Sequence, residues 1–417
     1  MQITLRRKIQ DIEKTLKKAK KVRLAGCIEK NWNKTALKYS EELNFWRPKR
    51  PIEKELLNAF DKELRRLETG NALRIEILKS INKRRVLQTA PHLGATESPR
   101  MLCINWLGSL GVPEKEFYVV GMFSGIPFSN HSRPGRINKK VGTINLFPSN
   151  MQDGLVYRSI IPKKLIEVEN SLPIKISRFL PKAEEGRSYT KWALLACQHI
   201  ERKILKKNNL IYLDINEVVT EYLIQVLQNK NHVFYKIFFD PKTRKEFTRI
   251  FRNEIVFYTP TKKGKYEQME NMFIKKNTLK SKTKEINLEN PEDLIKELKD
   301  GRLCPSLATS FLALAFLNQF KCFGSFAQVE YLPVYQKKFA KLKFLKEYNL
   351  EQVPTANLTT GVFPEKTNLF PIDIIELGKF IQKSNILFGE LLLPMKNVLL
   401  ESYFTGSERN TTKRNKK

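Results

Sequence analysis

The stretch Thr89-Ala90-Pro91-His92-Leu93-Gly94-Ala95-Thr96-Glu97-Ser98-Pro99-Arg100 collects residue types that bind and activate a polar ligand. Histidine is the side chain whose ordinary titration range lies near neutrality, so His92 could polarise or protonate a bound group. Thr89 brings a hydroxyl, Gly94 lets backbone approach a phosphate or carboxylate, and Arg100 pairs with an anion. A second stretch, Ser124 to Arg136, adds Ser129, Asn130 and His131 as hydrogen-bonding groups and Arg133 as a second cation. The Gly-x-Ser-x-Gly pattern is absent, so neither Ser124 nor Ser129 reads as a nucleophile. A third, Lys321 to Pro333, sets Gln328, Glu330 and Tyr331 in apolar surroundings, where polar groups cost free energy unless they satisfy one another or face a ligand.

These three stretches predict one cavity. His92 is its acid or base, Glu330 orients or accepts a proton, and Arg100 and Arg133 clamp an anion. Thr89, Gly94, Ser129, Asn130, His131, Gln328 and Tyr331 are the expected substrate contacts. Their spacing supports no metal site. The plainer alternative is a shaped turn with a packed His92, followed by an ordinary Gly- and Pro-rich surface loop.

The elements that must position these residues read as follows. Val86–Thr89 is a strand, Pro99–Leu110 a helix and Phe117–Phe123 a second strand, which makes a βαβ unit and therefore a parallel sheet. Ser98 and Pro99 start the helix, and Gly111-Val112-Pro113 stops it. Both candidate loops follow strands of this unit, so both open on the carboxyl edge of the sheet, where α/β proteins bind ligands. The first loop also enters a helix N-terminus, which favours an anion.

Upstream, Leu5, Ile9, Ile12, Leu16 and Ala19 form one apolar stripe, and a second helix spans about Ile52–Leu67 with Leu56, Leu57, Phe60 and Leu64 on one side. Residues 142–162 alternate like further strands, and 181–256 read as helical. Ile255–Tyr258 reads as a buried strand followed by a basic loop, Thr259–Lys265. Asn290-Pro291 begins a helix, and Leu307–Phe320 is apolar on all sides and buried. The chain thus divides into a basic helical region (1–85), an α/β core (86–345) with a helical insertion near 181–256, and a mainly helical C-terminal region (346–405). A basic tail (406–417) is expected to be disordered.

Of 417 residues, 75 are Lys or Arg and 43 Asp or Glu, a net charge of +32 that attracts phosphate, nucleic acid or anionic head groups. A hydrophobic fraction of 41% excludes a disordered chain. Five widely spaced cysteines suggest neither a disulfide framework nor a zinc knuckle and suit a reducing, cytoplasmic setting. The N-terminus lacks the apolar run of a signal peptide, and no apolar stretch reaches membrane-spanning length.

Three segments in order resemble the bacillithiol-biosynthesis cysteine-adding enzymes. Thr89-Ala90-Pro91-His92 stands where that family has a Thr-Gly-Gln-Gln loop leading into a helix. Gly324-Ser325-Phe326-Ala327-Gln328-Val329-Glu330-Tyr331, preceded by Cys304-Pro305, is similar to its Gly-Gly-Pro-x-Glu-x-x-Tyr element. Between them, Phe257–Lys265 occupies the place of a strand and basic loop. The family's Glu-Asp-His-Asp cluster is replaced here by Ser129-Asn130-His131-Ser132. The resemblance implies a Rossmann-like core with helical insertions and an adenine nucleotide as cofactor; with the residue pattern, the expected fold is an α/β, Rossmann-like parallel-sheet core with large helical insertions and helical N- and C-terminal segments. Pro91-His92-Leu93-Gly94 also resembles the His-containing loop of class I aminoacyl-tRNA synthetases and nucleotidylyltransferases, without its second His.

Two functions follow as expectations. The first is a ligase- or transferase-type enzyme with a polar, anionic small-molecule substrate. The second is a non-catalytic RNA- or DNA-binding protein working through the basic helices of residues 1–88, although no helix-turn-helix, RNP or zinc signature accompanies them.

Overall fold

The structure, a computed structural model, describes residues 2–130, 132–148, 154–263, 266–378, 380 and 382–396. The basic tail at 406–417 lies outside them, as does the end of the C-terminal segment from 397 onward.

Five helices open the chain: α1 (Gln2–Lys18), α2 (Val22–Asn31), α3 (Ala36–Asn44), α4 (Lys54–Arg66) and α5 (Asn71–Arg84). The apolar stripe of α1 is its buried face, formed by Leu5, Ile9, Ile12 and Leu16. Lys17 and Lys18 fill its last turn, at the negative end of the helix dipole. α4 buries Leu56, Phe60 and Leu64 in the same manner.

β1 (Val86–Gln88), α6 (Pro99–Leu110) and β2 (Tyr118–Met122) form the βαβ unit read from the sequence. Ser98 caps α6 by accepting from the Met101 N–H, and Pro99 occupies the first turn, where no intrahelical N–H is needed. β3 (Arg136–Asn138) and β4 (Thr143–Asn145) pair as a short hairpin. β4 is the only strand among the described residues of 142–162, and Val156–Arg158 is a 3-10 turn instead. There follow α7 (Lys163–Ser171), α8 (Ile174–Ser177), α9 (Tyr189–Leu205), β5 (Leu210–Asp214), α10 (Ile215–Val226), α11 (Val233–Phe239) and α12 (Pro241–Ile250). β5 corrects the all-helical expectation for 181–256: five apolar-rich residues wedged between two helices carry too few positions to separate period 2 from period 3.6.

β6 (Phe257–Lys263), β7 (Tyr266–Lys275), β8 (Thr278–Lys280) and β9 (Glu285–Asn287) make an antiparallel meander, followed by α13 (Pro291–Lys299) and β10 (Cys304–Pro305). The basic segment from Thr259 to Lys263 is therefore strand, paired with β7 along its length, and not loop. α14 (Leu307–Phe311) continues into a buried π-helical segment, Leu312–Leu317. β11 (Lys321–Phe323), α15 (Phe326–Phe339), α16 (Pro371–Leu377) and α17 (Phe388–Leu392) complete the described chain.

The fold is mixed α/β and 52% helical, so a thin sheet carries long insertions. The central sheet has the order β11-β1-β2-β5 and is parallel throughout. Both faces are covered, which is why every residue of β2 and β5 is buried and neither strand alternates. The second sheet has the order β10-β6-β7-β8-β9. One contiguous apolar core runs from Leu5 to Met395, so the N-terminal helices pack into the same interior as the sheet. Among the described residues no helix is long and apolar enough to cross a membrane.

The crossing of α3 and α6 shows how tight that interior is. A Cβ on Gly111, at the end of α6, would sit 2.6 Å from the backbone N of Glu41. A Cβ on Gly26, on the exposed side of α2, would meet nothing within 4 Å. Gly111→Ala is expected to lower stability by about 1–3 kcal/mol, and Gly26→Ala to raise it by about 0.5–1 kcal/mol through helix propensity. Urea unfolding of the two variants checks both signs.

Candidate functional site

The strand order reverses between β1 and β11: β2 and β5 extend the sheet one way, and β11, last in sequence, returns to the other side of β1. Beyond the carboxyl ends of these two strands stand the loops entering α6 and α15. Crevices at such reversals are the usual ligand sites of open α/β sheets.

The first two candidate loops converge. Leu93 N–H donates to Phe123 C=O at 2.9 Å and Phe123 N–H to Pro91 C=O at 3.2 Å, which extends the β1–β2 pairing past both strand ends. His92 Nδ1 lies 3.1 Å from Asn130 Oδ1. That oxygen also accepts from Ser132 N–H at 3.0 Å, so Nδ1 is the donor and carries the proton in the neutral ring. Gly94 is where the loops touch: a Cβ there would meet Pro134 Cα at 3.4 Å. Its role is close packing of loop on loop. Ser129 and Arg133 are exposed on the rim, with Arg133 in the left-handed region at φ 52°. His131 lies outside the described residues.

The third segment joins the others through only part of its predicted set. Thr89 Oγ1 is 2.9 Å from Phe323 C=O and 3.0 Å from Gln328 Oε1, and both side chains are buried. Thr89 and Gln328 thus satisfy each other and fasten α15 to β1. Glu330 departs from the expected cavity. It accepts from Leu24 N–H at 3.0 Å and pairs with Arg23 at 3.6 Å, capping α2, whose own cap residue Lys21 makes no side-chain cap bond. The helical period explains it: two residues turn the chain by about 200°, so Gln328 against the sheet sends Glu330 to the opposite face. Glu330 is thus engaged with α2, while His92 is engaged with the Asn130 loop. Tyr331 packs in the interior beside Phe311 and Tyr335, and burial pushes its phenol well above the ordinary range.

Arg100 holds the most suggestive position. Its guanidinium lies 5.2 Å from the centroid of Phe326, the first residue of α15, so the opening turns of α6 and α15 face each other. Burial lowers its pKa, partly offset by the charge of Glu97, yet no carboxylate of the described residues lies within ion-pair distance.

Two buried acidic clusters flank this edge, and sequence reading did not find them. Asp214 ends β5; its Oδ1 accepts from Ser124 Oγ and Asn216 N–H, both at 2.9 Å, while its Oδ2 has no partner. Burial, then the charges of Glu217 and Glu63, push its pKa up to about 8. In the second cluster Glu201 accepts from Asn105 at 3.0 Å and from the Tyr212 hydroxyl, and burial pushes it up to about 7. Glu97 is raised too, by burial and then by the Glu201 charge. Glu97 Oε1, Glu201 Oε1 and Asn105 Oδ1 are all buried without donors. The one sequence signal for Asp214 was an acid closing an apolar run, Leu210–Leu213, and it was masked by the helical residues around it.

Among the described residues no group of three or more His, Cys, Asp or Glu could hold a metal ion. Compared with known proteins, the chain matches no family model and no curated sequence.

Proposed function

We propose that this chain is a small-molecule enzyme of ligase or transferase type, with a Rossmann-like core, that takes a polar anionic substrate in the crevice between β1 and β11. The observation that carries the reading is Arg100: a half-buried cation with no carboxylate of the described residues within ion-pair distance, where the opening turns of two helices meet at a strand-order reversal. Unpaired N–H groups and both helix dipoles there favour negative charge. His92, fixed by Asn130, is the proton donor or acceptor at the mouth, and Arg133 is a cation on the rim. The resemblance to the bacillithiol-biosynthesis cysteine-adding enzymes adds an adenine nucleotide as cofactor. Glu330 has no part in this chemistry, because its carboxylate is committed to α2.

Calorimetric titration with ATP and AMP tests the proposal. Arg100→Ala is expected to weaken binding roughly 10- to 100-fold, the loss of one charge-assisted contact of about 1.5–3 kcal/mol. His92→Ala should spare binding and abolish turnover. Equal affinity of wild type and a folded Arg100→Ala variant would overturn the assignment.

A further inference from the structure

On the far side of α9 from its packed face lies an open cleft of about 800 Å³, bounded by α8, the last turn of α9 and the end of α16. Arg178, Arg202, Lys203 and Lys206 line it, together with His199 and the ring of Phe179, and among the described residues no carboxylate does. Elsewhere the cations of this protein are commonly paired with acids: Lys17 with Glu29, Lys62 with Glu221, and Arg65 and Arg74 both with Asp61. None of the four cleft cations has a carboxylate within ion-pair distance among the described residues.

A plainer account is that they neutralise helix ends, since α9 and α16 both finish here. Each end carries about half a negative charge. These two ends, with the single turn of α8 that closes at Arg178, offset about one to one and a half cations and leave a surplus of about two to three. Arg202 also spends its Nε–H on Leu210 C=O at 2.7 Å, which holds the guanidinium in place and leaves its outer nitrogens. Arg178 and Lys203 lie 4.8 and 6.0 Å from the Phe179 centroid, so one ring organises two of the cations.

We propose that this cleft is a second binding site, separate from the β1–β11 crevice, for closely spaced phosphate groups. Two sources share that chemistry, the polyphosphate of a free nucleotide and the backbone of single-stranded nucleic acid. A cleft of this size is within the range of nucleotide-sized ligand sites, and an open groove also admits a strand.

The test uses the full chain with three probes: pyrophosphate, ATP and a labelled single-stranded oligonucleotide of twelve bases. The variant Arg178→Ala/Lys203→Ala/Lys206→Ala is compared with Lys242→Ala/Lys299→Ala/Lys346→Ala, which removes the same charge from other exposed positions. At least a tenfold loss of affinity confined to the first variant is expected, and for the oligonucleotide on the unsubstituted chain log affinity should fall against log salt at a slope of about −2 to −3. Tight pyrophosphate and ATP binding with no gain from the oligonucleotide identifies a free nucleotide. Tight oligonucleotide binding with weak ATP binding identifies a strand. Equal losses in both triple variants would reduce the effect to diffuse net charge and overturn the site, as would no binding of any probe. Arg100→Ala should leave cleft binding intact, so failure here and failure at the crevice are told apart.

Discussion

Replacing Arg66 with alanine is expected to destabilise the fold by about 3 kcal/mol, one of the two largest effects predicted for this protein. Arg66 Nε and Nη2 grip both oxygens of Glu63, at 2.6 and 2.9 Å, and its Nη1 reaches Thr190 at 3.2 Å. Glu63 is buried and also accepts from Asp214 N–H at 3.0 Å, so the pair ties α4 to the end of β5. Arg66 is the cation shared by Glu63, Asp214 and Glu217, and their charges raise its pKa against the cost of burial. Removing it leaves the Glu63 carboxyl in a dry interior without its two-pronged partner, close to Asp214 and Glu217. About a quarter of the Arg66 side chain still reaches solvent, which places the figure at the low end of the range for broken buried pairs. Urea unfolding measures the loss. Arg66→Lys should recover part of it, keeping the charge without the two-pronged contact. In a Glu63→Gln/Arg66→Ala double variant the two losses should not add. A change under about 0.5 kcal/mol in Arg66→Ala would mean that solvent, not Arg66, compensates these acids.

The second large effect is a fall in stability between about pH 4 and pH 8. Glu201 and Asp214 keep their protons in the folded state up to about pH 7 and 8, and Glu97 is raised in the same direction. In the unfolded chain such carboxyls release protons near pH 4. Between those limits the folded state binds more protons than the unfolded one, so raising the pH favours unfolding. Glu201 alone accounts for a loss on the order of 3 kcal/mol, because each pH step between its unfolded and folded values is worth about 1.4 kcal/mol. Glu297 behaves oppositely: burial opposes, but Arg302 and Lys284 prevail and lower its pKa, so its contribution is lost only as pH falls below the usual carboxylate range. Lys321, lowered to about 8 by burial, contributes in the opposite sense as pH rises further toward the ordinary lysine value. Above pH 8 that gain is opposed by the buried thiols of Cys103, Cys197, Cys304 and Cys322, whose pKa burial raises, so the descent between about pH 4 and pH 8 is the expected feature of the profile. Melting curves at unit steps from pH 4 to 9 trace it. Glu201→Gln should flatten the descent and melt above wild type at pH 8, because the amide oxygen still accepts from Tyr212 and Asn105. A wild-type melting temperature that climbs from pH 5 to pH 8 would contradict this account.

Local signals in the chain already specified much of what surrounds the site. Ser98, Pro99 and Gly111 delimit α6, and Asn290 and Pro291 open α13, because capping and the fixed φ of proline act within a few residues. The stripe of α1 was legible for the same reason: helical period is a property of neighbours in sequence. Two strands of the central sheet were legible beside α6, and with them the convergence of the His92 and Asn130 loops. The other two, β5 and β11, were not. Strands buried on both faces lose the alternation that marks a strand, and β11 is only three residues long.

What needed the folded chain was the sense of each polar side chain. Gln328 and Glu330 look alike in sequence, yet one closes onto Thr89 and the other crosses to α2, since a helix packed on two sides sends neighbouring residues to different partners. Asp214 meets Ser124 across 90 positions, and Glu63 meets Arg66 and Asp214 at once. Composition and local period decided which segments are helices, where several begin and end, and that an α/β layering would form. Only the register of β11 against β1, and the packing of α4, α9 and α15 around the sheet, decided which acids were stripped of water and which cations were left to meet a ligand, because desolvation and Coulomb pairing depend on distance in space.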